Sequence, residues 1–216
     1  MTKILFNSIL SVLLVSTVMA QCPPEIQSIV QEVQSRLDKT NAYRVDFSLE
    51  QSFVGESSNM QKGNLLVNGN KFRLELTDQS FVSDGNNLWI VIPSAKEVQI
   101  MSLDEETGLG SLSPIDILKQ YCEDDFLSRS LGTSTEEGRQ VEQLEFTPID
   151  KDQDIFKIRI SYDRERNEIY RARTFSKDGS RMTLTASSYN FNPDYQNDNF
   201  RYDTGAHPDY NIEDLR

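Results

Sequence analysis

Few residues in this chain could make or break a covalent bond. Its 216 residues include two cysteines, Cys22 and Cys122, and one histidine, His207. A hydrolase or metalloenzyme needs a nucleophile beside a base, or ligands at metal spacing. His207 stands near the C-terminus beside Pro208, with neither arrangement around it. The acidic runs Asp104-Glu105-Glu106 and Glu123-Asp124-Asp125 could attract a cation, but neither has calcium-loop spacing and both read as solvated charge. No glycine-rich phosphate loop or nucleophile elbow occurs. The expectation is a non-enzyme with no catalytic residue, no metal site and no cofactor. In an oxidising compartment Cys22 and Cys122 can form one bridge, whose loop of about 100 residues would contribute roughly 4.7 kcal/mol on the chain-entropy account. Two unpaired thiols are the alternative.

What remains is the chemistry of apolar surface, and the stretch from Phe72 to Met101 concentrates it. Phe72, Leu74 and Leu76 alternate with Arg73, Glu75 and Thr77, which gives a strand one apolar face. Ser83-Asp84-Gly85-Asn86-Asn87 is a hairpin signal. Leu88 to Ile92 follows, apolar at every position, and Val98 and Ile100 resume the alternation. A strand apolar on both sides needs cover on both sides. Which of its two residue sets turns inward stays open at this stage.

The elements that hold this stretch can be read on either side of it. Ile26, Val30, Val33 and Leu37 make the stripe of an amphipathic helix. Tyr43, Val45, Phe47 and Leu49 alternate as a strand, and Gly63 to Val67 reads as the next. Ser113-Pro114 has the form of an N-cap followed by proline, with Ile115, Leu118, Tyr121 and Cys122 on one side of the helix it would open. Phe126 and Leu127 extend that helix or pack at its end. Strands resume after Gly138, and a short one is expected at Phe200-Arg201-Tyr202. The count is about ten strands and two or three helices. It predicts one antiparallel, strongly curved sheet with helices on one face.

The whole chain sets further bounds. Its formal charge is −12, which argues against nucleic acid and against a polybasic grip on lipid. Residues 1–20 read as a secretory signal peptide: Lys3, an apolar run from Ile4 to Val18, then Val18-Met19-Ala20 with cleavage expected after Ala20. Residues 21–216 then form a single domain, with 203–216 as an extended tail. Gln21 stands where a lipoprotein signal would place a small residue before the modified cysteine, so Cys22 reads as an ordinary thiol.

Taken in order, these pieces resemble the periplasmic carrier of outer-membrane lipoproteins, the LolA family. Val82-Ser83-Asp84-Gly85-Asn86-Asn87-Leu88-Trp89 is similar to the family's central hairpin, and Pro93 falls where its proline does. Arg36-Leu37-Asp38-Lys39 leading into Tyr43 and Phe47, Ser113-Pro114, Ser176-Lys177-Asp178-Gly179-Ser180, Tyr189-Phe191-Asn192-Pro193 and Asn199-Phe200-Arg201-Tyr202-Asp203 also fit. The resemblance spans residues 25–203. The family's latch arginine has no counterpart in the turn Asn68-Gly69-Asn70-Lys71, and the Ala206-His207-Pro208 tail matches divergent members.

The resemblance implies a mainly β, α+β fold: an incomplete β-barrel with N-terminal and mid-chain helices as a lid over an apolar concavity. It implies a monomeric periplasmic carrier of acylated lipoproteins. Such a carrier is served by an inner-membrane ABC-type lipoprotein-releasing transporter, with an outer-membrane receptor as a further partner. Phe47, Leu49, Phe72, Leu74, Leu76, Trp89 and Val91 are the expected acyl-chain cavity residues, and Ile115 and Leu118 the lid. The alternatives are an outer-membrane-anchored receptor, which needs a lipidated Cys22, and a periplasmic lipid- or glycolipid-sensing protein of the same fold.

Overall fold

Pro23 and Pro24 set the start of the one α-helix among the described residues. The computed structural model describes residues 22–103, 122 and 125–216. Proline is pre-organised for a first helical turn and lacks the N–H that would go unpaired there. Helix α1 (Pro24–Leu37) has Glu25 in its first turn and Arg36 in its last, each matching the helix dipole. It buries Ile26, Ile29 and Val33, with Val30 and Leu37 partly buried. Ile29 lies one turn from both Ile26 and Val33, and joins the stripe that the periodicity predicts.

The strands are β1 (Tyr43–Ser52), β2 (Asn59–Asn68), β3 (Lys71–Glu75), β4 (Ser80–Ser83), β5 (Asn87–Ile92), β6 (Glu97–Ser102), β7 (Phe126–Glu136), β8 (Arg139–Pro148), β9 (Ile155–Asp163), β10 (Glu168–Ser176), β11 (Arg181–Phe191) and β12 (Asn211–Asp214). They form one curved, open sheet in the order β12-β6-β5-β4-β3-β2-β1-β11-β10-β9-β8-β7. Two meanders, β1–β6 and β7–β11, are joined where β1 pairs with β11.

Three sequence expectations are corrected here. Phe126 and Leu127 do not extend a helix; they begin β7. This edge strand buries little, so its sequence carries no apolar alternation. Phe200-Arg201-Tyr202 is not a strand, because Asn197–Phe200 forms a 3-10 turn that buries Phe200 edge-on against Tyr195. The sheet is not wholly antiparallel: the tail returns as β12, parallel to β6. The signal peptide and the helix expected after Ser113-Pro114, with Ile115 and Leu118, lie outside the described residues.

Helix α1 lies over β8–β10. Ile26, Ile29 and Val33 pack with Leu144, Phe146, Ile158, Ile160, Tyr162 and Ile169. Burying each such side chain contributes about 1.5–3 kcal/mol. The Tyr162 hydroxyl bonds to Glu32 of the helix and to Asn167, 3.1 Å each. Cys22, just before α1, is disulfide-bonded to Cys122, and both sulfur-bearing residues pack against this core. The face under the helix is called the inner face below.

Candidate functional site

Strand register shows how the apolar residues share a face. Residues directly opposite in a ladder point the same way. One row runs Phe191, Tyr43, Val67, Phe72, Ser83, Leu88 and Met101 across β11, β1, β2, β3, β4, β5 and β6. The next runs Tyr189, Val45, Leu65, Leu74, Phe81, Ile90 and Gln99. Phe47 sits opposite Ala186 and Gly63, and Leu49 opposite Leu184. Leu184 is itself opposite Ala172, and Ala172 opposite Ile160 under the helix. These rows therefore lie on the inner face, beside the part that α1 covers.

The rows form one cluster with a closed floor and a looser rim. Tyr43, Val45, Phe47, Leu65, Val67, Phe72, Leu88 and Ala186 are buried. Leu49, Leu74, Leu76, Phe81, Ile90, Met101, Leu103, Leu184, Tyr189, Phe191 and Leu37 are only partly buried around them. The structure thus brings together five of the predicted residues: Phe47, Leu49, Phe72, Leu74 and Leu76. Trp89 and Val91 are not among them. They point to the outer face, where they pack with Val82, Val98 and Ile100 under Tyr202 and the tail's Tyr210. Alternation along β5 decides this, because Leu88 and Ile90 take the inner positions.

Several residues of the cluster were not singled out from the sequence: Leu65 and Val67 in the floor, and Phe81, Ile90, Met101, Leu184, Tyr189 and Phe191 in the rim. Their signal is alternation combined with cross-strand pairing, and the pairing was not available from one chain. Arg44 and Arg73 take the outer positions that the alternation predicts, opposite Leu66 on β2. Arg73 donates to Glu75 and to the Asn199 carbonyl, not to the inner face.

At the seam between α1 and the cluster, Arg36 stacks over Phe191 at 3.8 Å and pairs with Glu168 at 3.3 Å. Phe191 stacks in turn on Tyr189, whose hydroxyl donates to the Ile169 carbonyl at 2.8 Å. Burial pushes the Tyr189 hydroxyl well above its ordinary pKa. Burial also raises the Glu168 carboxyl, and the Arg36 charge only partly opposes this. A cavity of about 20 Å³ lies here, lined by Val33, Arg36, Leu37, Tyr43 and Glu168 among others. It has room for about one water and none for an organic ligand. Among the described residues no group of side chains is arranged to hold a metal ion, and no helix is long and apolar enough to cross a membrane.

The family described as outer membrane lipoprotein carrier protein LolA matches residues 38–203, most of the chain. The chain belongs to the LolA family. No curated protein matches. Among solved structures, an uncharacterized conserved protein from Thermus thermophilus superposes with a TM-score of 0.60 at 10% identity, over 88% of this chain and 99% of that one. A LolA superfamily protein from Nitrosomonas europaea gives 0.40 at 15% identity, over 82% and 97%. A lipoprotein-sorting protein domain from Vibrio parahaemolyticus gives 0.41 at 14%, over 81% and 97%. At 10% identity the likeness to the Thermus thermophilus protein is one of fold. The Asn68-Gly69-Asn70-Lys71 turn forms the tight β2–β3 connection, with Gly69 at φ +58°.

Proposed function

We propose that the protein is a periplasmic carrier that binds the acyl chains of lipoproteins and ferries them from the inner to the outer membrane. The observation that carries this reading is the rim of partly buried apolar side chains on the inner face, from Leu49 through Leu74, Leu76, Phe81 and Ile90 to Met101. Acyl chains gain about 0.8 kcal/mol per methylene removed from water, so a carrier must offer apolar surface in proportion. It must also let go, which favours a partly open rim over a sealed core. Phe47 and Phe72 would form the floor of the acyl site. Trp89 and Val91 are left out of it, since the tail covers them.

Membership of a family of lipoprotein carriers supports this reading. An ABC-type lipoprotein-releasing transporter would load the carrier at the inner membrane, and an outer-membrane receptor would unload it. The carrier would work as a monomer and without catalysis. The anchored-receptor alternative needs a lipid on the Cys22 sulfur, and that sulfur is engaged with Cys122.

Native mass spectrometry of the protein with a purified triacylated lipopeptide tests the proposal. The expected result is a stoichiometric complex that is absent with the de-acylated peptide. A folded protein that binds neither peptide would overturn it.

A further inference from the structure

The outer face of β9–β11 carries a cluster of cations that the acyl-binding reading does not use. In this chain Asp and Glu outnumber Lys and Arg by 34 to 22, so a local excess of positive charge is unexpected. Phe175 lies opposite Arg181 on one side and Lys157 on the other. One register step along, Arg173 lies opposite Arg159. Lys157 Nζ is 4.8 Å from the Phe175 ring centroid, Arg181 Cζ 5.7 Å and Arg159 Cζ 5.8 Å. Three cationic heads thus share one aromatic ring.

Carboxylates neutralise only part of this charge. Glu145 pairs with Arg159, at 2.9 Å, but it also serves Arg129. Among the described residues no ion pair is formed by Lys157, Arg173 or Arg181, and Arg173 spends its Nε on the Thr183 hydroxyl at 3.2 Å. Glu50 faces the same side across Thr183. In the adjoining loops Asp178 caps its own turn through the Ser180 N–H, and Asp150 caps that of Asp152. Like charges this close repel, and a ring quadrupole offsets only part of the cost. An anion with several acceptor oxygens would relieve it, and guanidinium forks match a phosphate in shape and charge. Phe156, exposed and 6.4 Å from Phe175, extends the aromatic floor.

We infer that Lys157, Arg159, Arg173 and Arg181 around Phe175 form a binding site for a phosphate group, carried either by a phospholipid headgroup or by a soluble phosphate ester. The site lies on the face opposite the acyl-binding rim, so it stands or falls independently of that proposal.

The test uses the whole folded protein in low salt. One arm titrates glycerol phosphate by calorimetry. The other measures co-sedimentation with phosphatidylglycerol vesicles against pure phosphatidylcholine vesicles. Binding should weaken as salt is added, and the Lys157→Gln/Arg181→Gln double variant should weaken it roughly tenfold or more. The control Lys39→Gln/Lys71→Gln, which removes the same charge elsewhere, should bind as the parent does. Binding in the first arm alone assigns a soluble ester, and binding in the second a headgroup. Binding in neither arm, equal loss in the control, or binding of polyglutamate alone would overturn the inference. Lys39 and Arg181 are exposed and Lys71 and Lys157 half-buried, and circular dichroism should show each variant folded.

Discussion

The ring of Phe47 fills the space that any side chain at Gly63 would need. The two residues are directly opposite on β1 and β2, and a Cβ built on Gly63 would lie 2.2 Å from Phe47 Cζ. A glycine in the middle of a strand gives up propensity, and here the missing side chain lets an aromatic ring lie down against backbone. Gly63→Ala should therefore lift Phe47 from the floor of the cluster. The expected cost is about 1–3 kcal/mol, read from the urea midpoint. Combined with Phe47→Leu, the effect of Gly63→Ala should shrink. Additive costs would disprove the contact.

Leu74 and Phe81 face each other on β3 and β4 within the rim. Leu74→Glu or Phe81→Glu should abolish lipopeptide binding in native mass spectra while leaving a folded protein. Arg73→Glu, on the opposite face, should bind as the parent does. Equal losses from Leu74→Glu and Arg73→Glu would remove the assignment of the inner face.

Trp89 is the only tryptophan and lies beneath Tyr202 and Tyr210. The tail is held by backbone bonds to β6, by Lys96–Asp209 at 2.8 Å and by Arg216 to Asn87 at 2.9 Å. Removing residues 204–216 should expose Trp89 and shift its emission to the red. It should also leave β6 as an open edge that promotes self-association on size-exclusion chromatography. Unchanged emission would place Trp89 elsewhere.

The Cys22–Cys122 bond spans a sequence separation of 100. Replacing both cysteines with serine should cost about 4–5 kcal/mol on the chain-entropy account. The loss should appear as a lower midpoint in chemical unfolding. Acyl binding under native conditions should survive, since neither cysteine lies in the rim.

Two buried carboxylates set the acid side of stability. Burial alone would raise Glu145, but hydrogen bonds and charge from Arg129 and Arg159 hold it below the usual range. The same holds for Asp163, where Arg166 and Arg139 outweigh burial. A depressed folded pKa stabilises above the unfolded value and is lost as pH falls through the folded one. The urea midpoint should thus hold from neutral pH to about 5 and drop below about 4. Glu168 acts with the opposite sign. Its raised carboxyl costs stability while charged and recovers it on protonation. Glu145→Gln should flatten the drop, and Glu168→Gln should steepen it.

Much of this fold was legible because strand alternation survives in Tyr43–Leu49, Phe72–Leu76 and Ile158–Tyr162, where one face is buried. β7 was not legible, since an edge strand with both faces half-open has no pattern to read. β12 was missed for the same reason: all four of its residues are exposed, so no apolar pattern marks it. The two faces of β5 were equally apolar in sequence. What settles them is register with β4, together with a tail that supplies a second small core.

The joint between β1 and β11 has a consequence for how the chain reaches this state. Asp46 and Ser188 meet there across a sequence separation of 142. Each meander can form from local hairpins, but the two halves of the sheet cannot close until β11 arrives. Closure over so long a loop is slow, and until it happens the apolar edge of β1 is open. A chain emerging across a membrane from its N-terminus would therefore pass through a half-built sheet, and its folding time would be set by the arrival of its last hairpin.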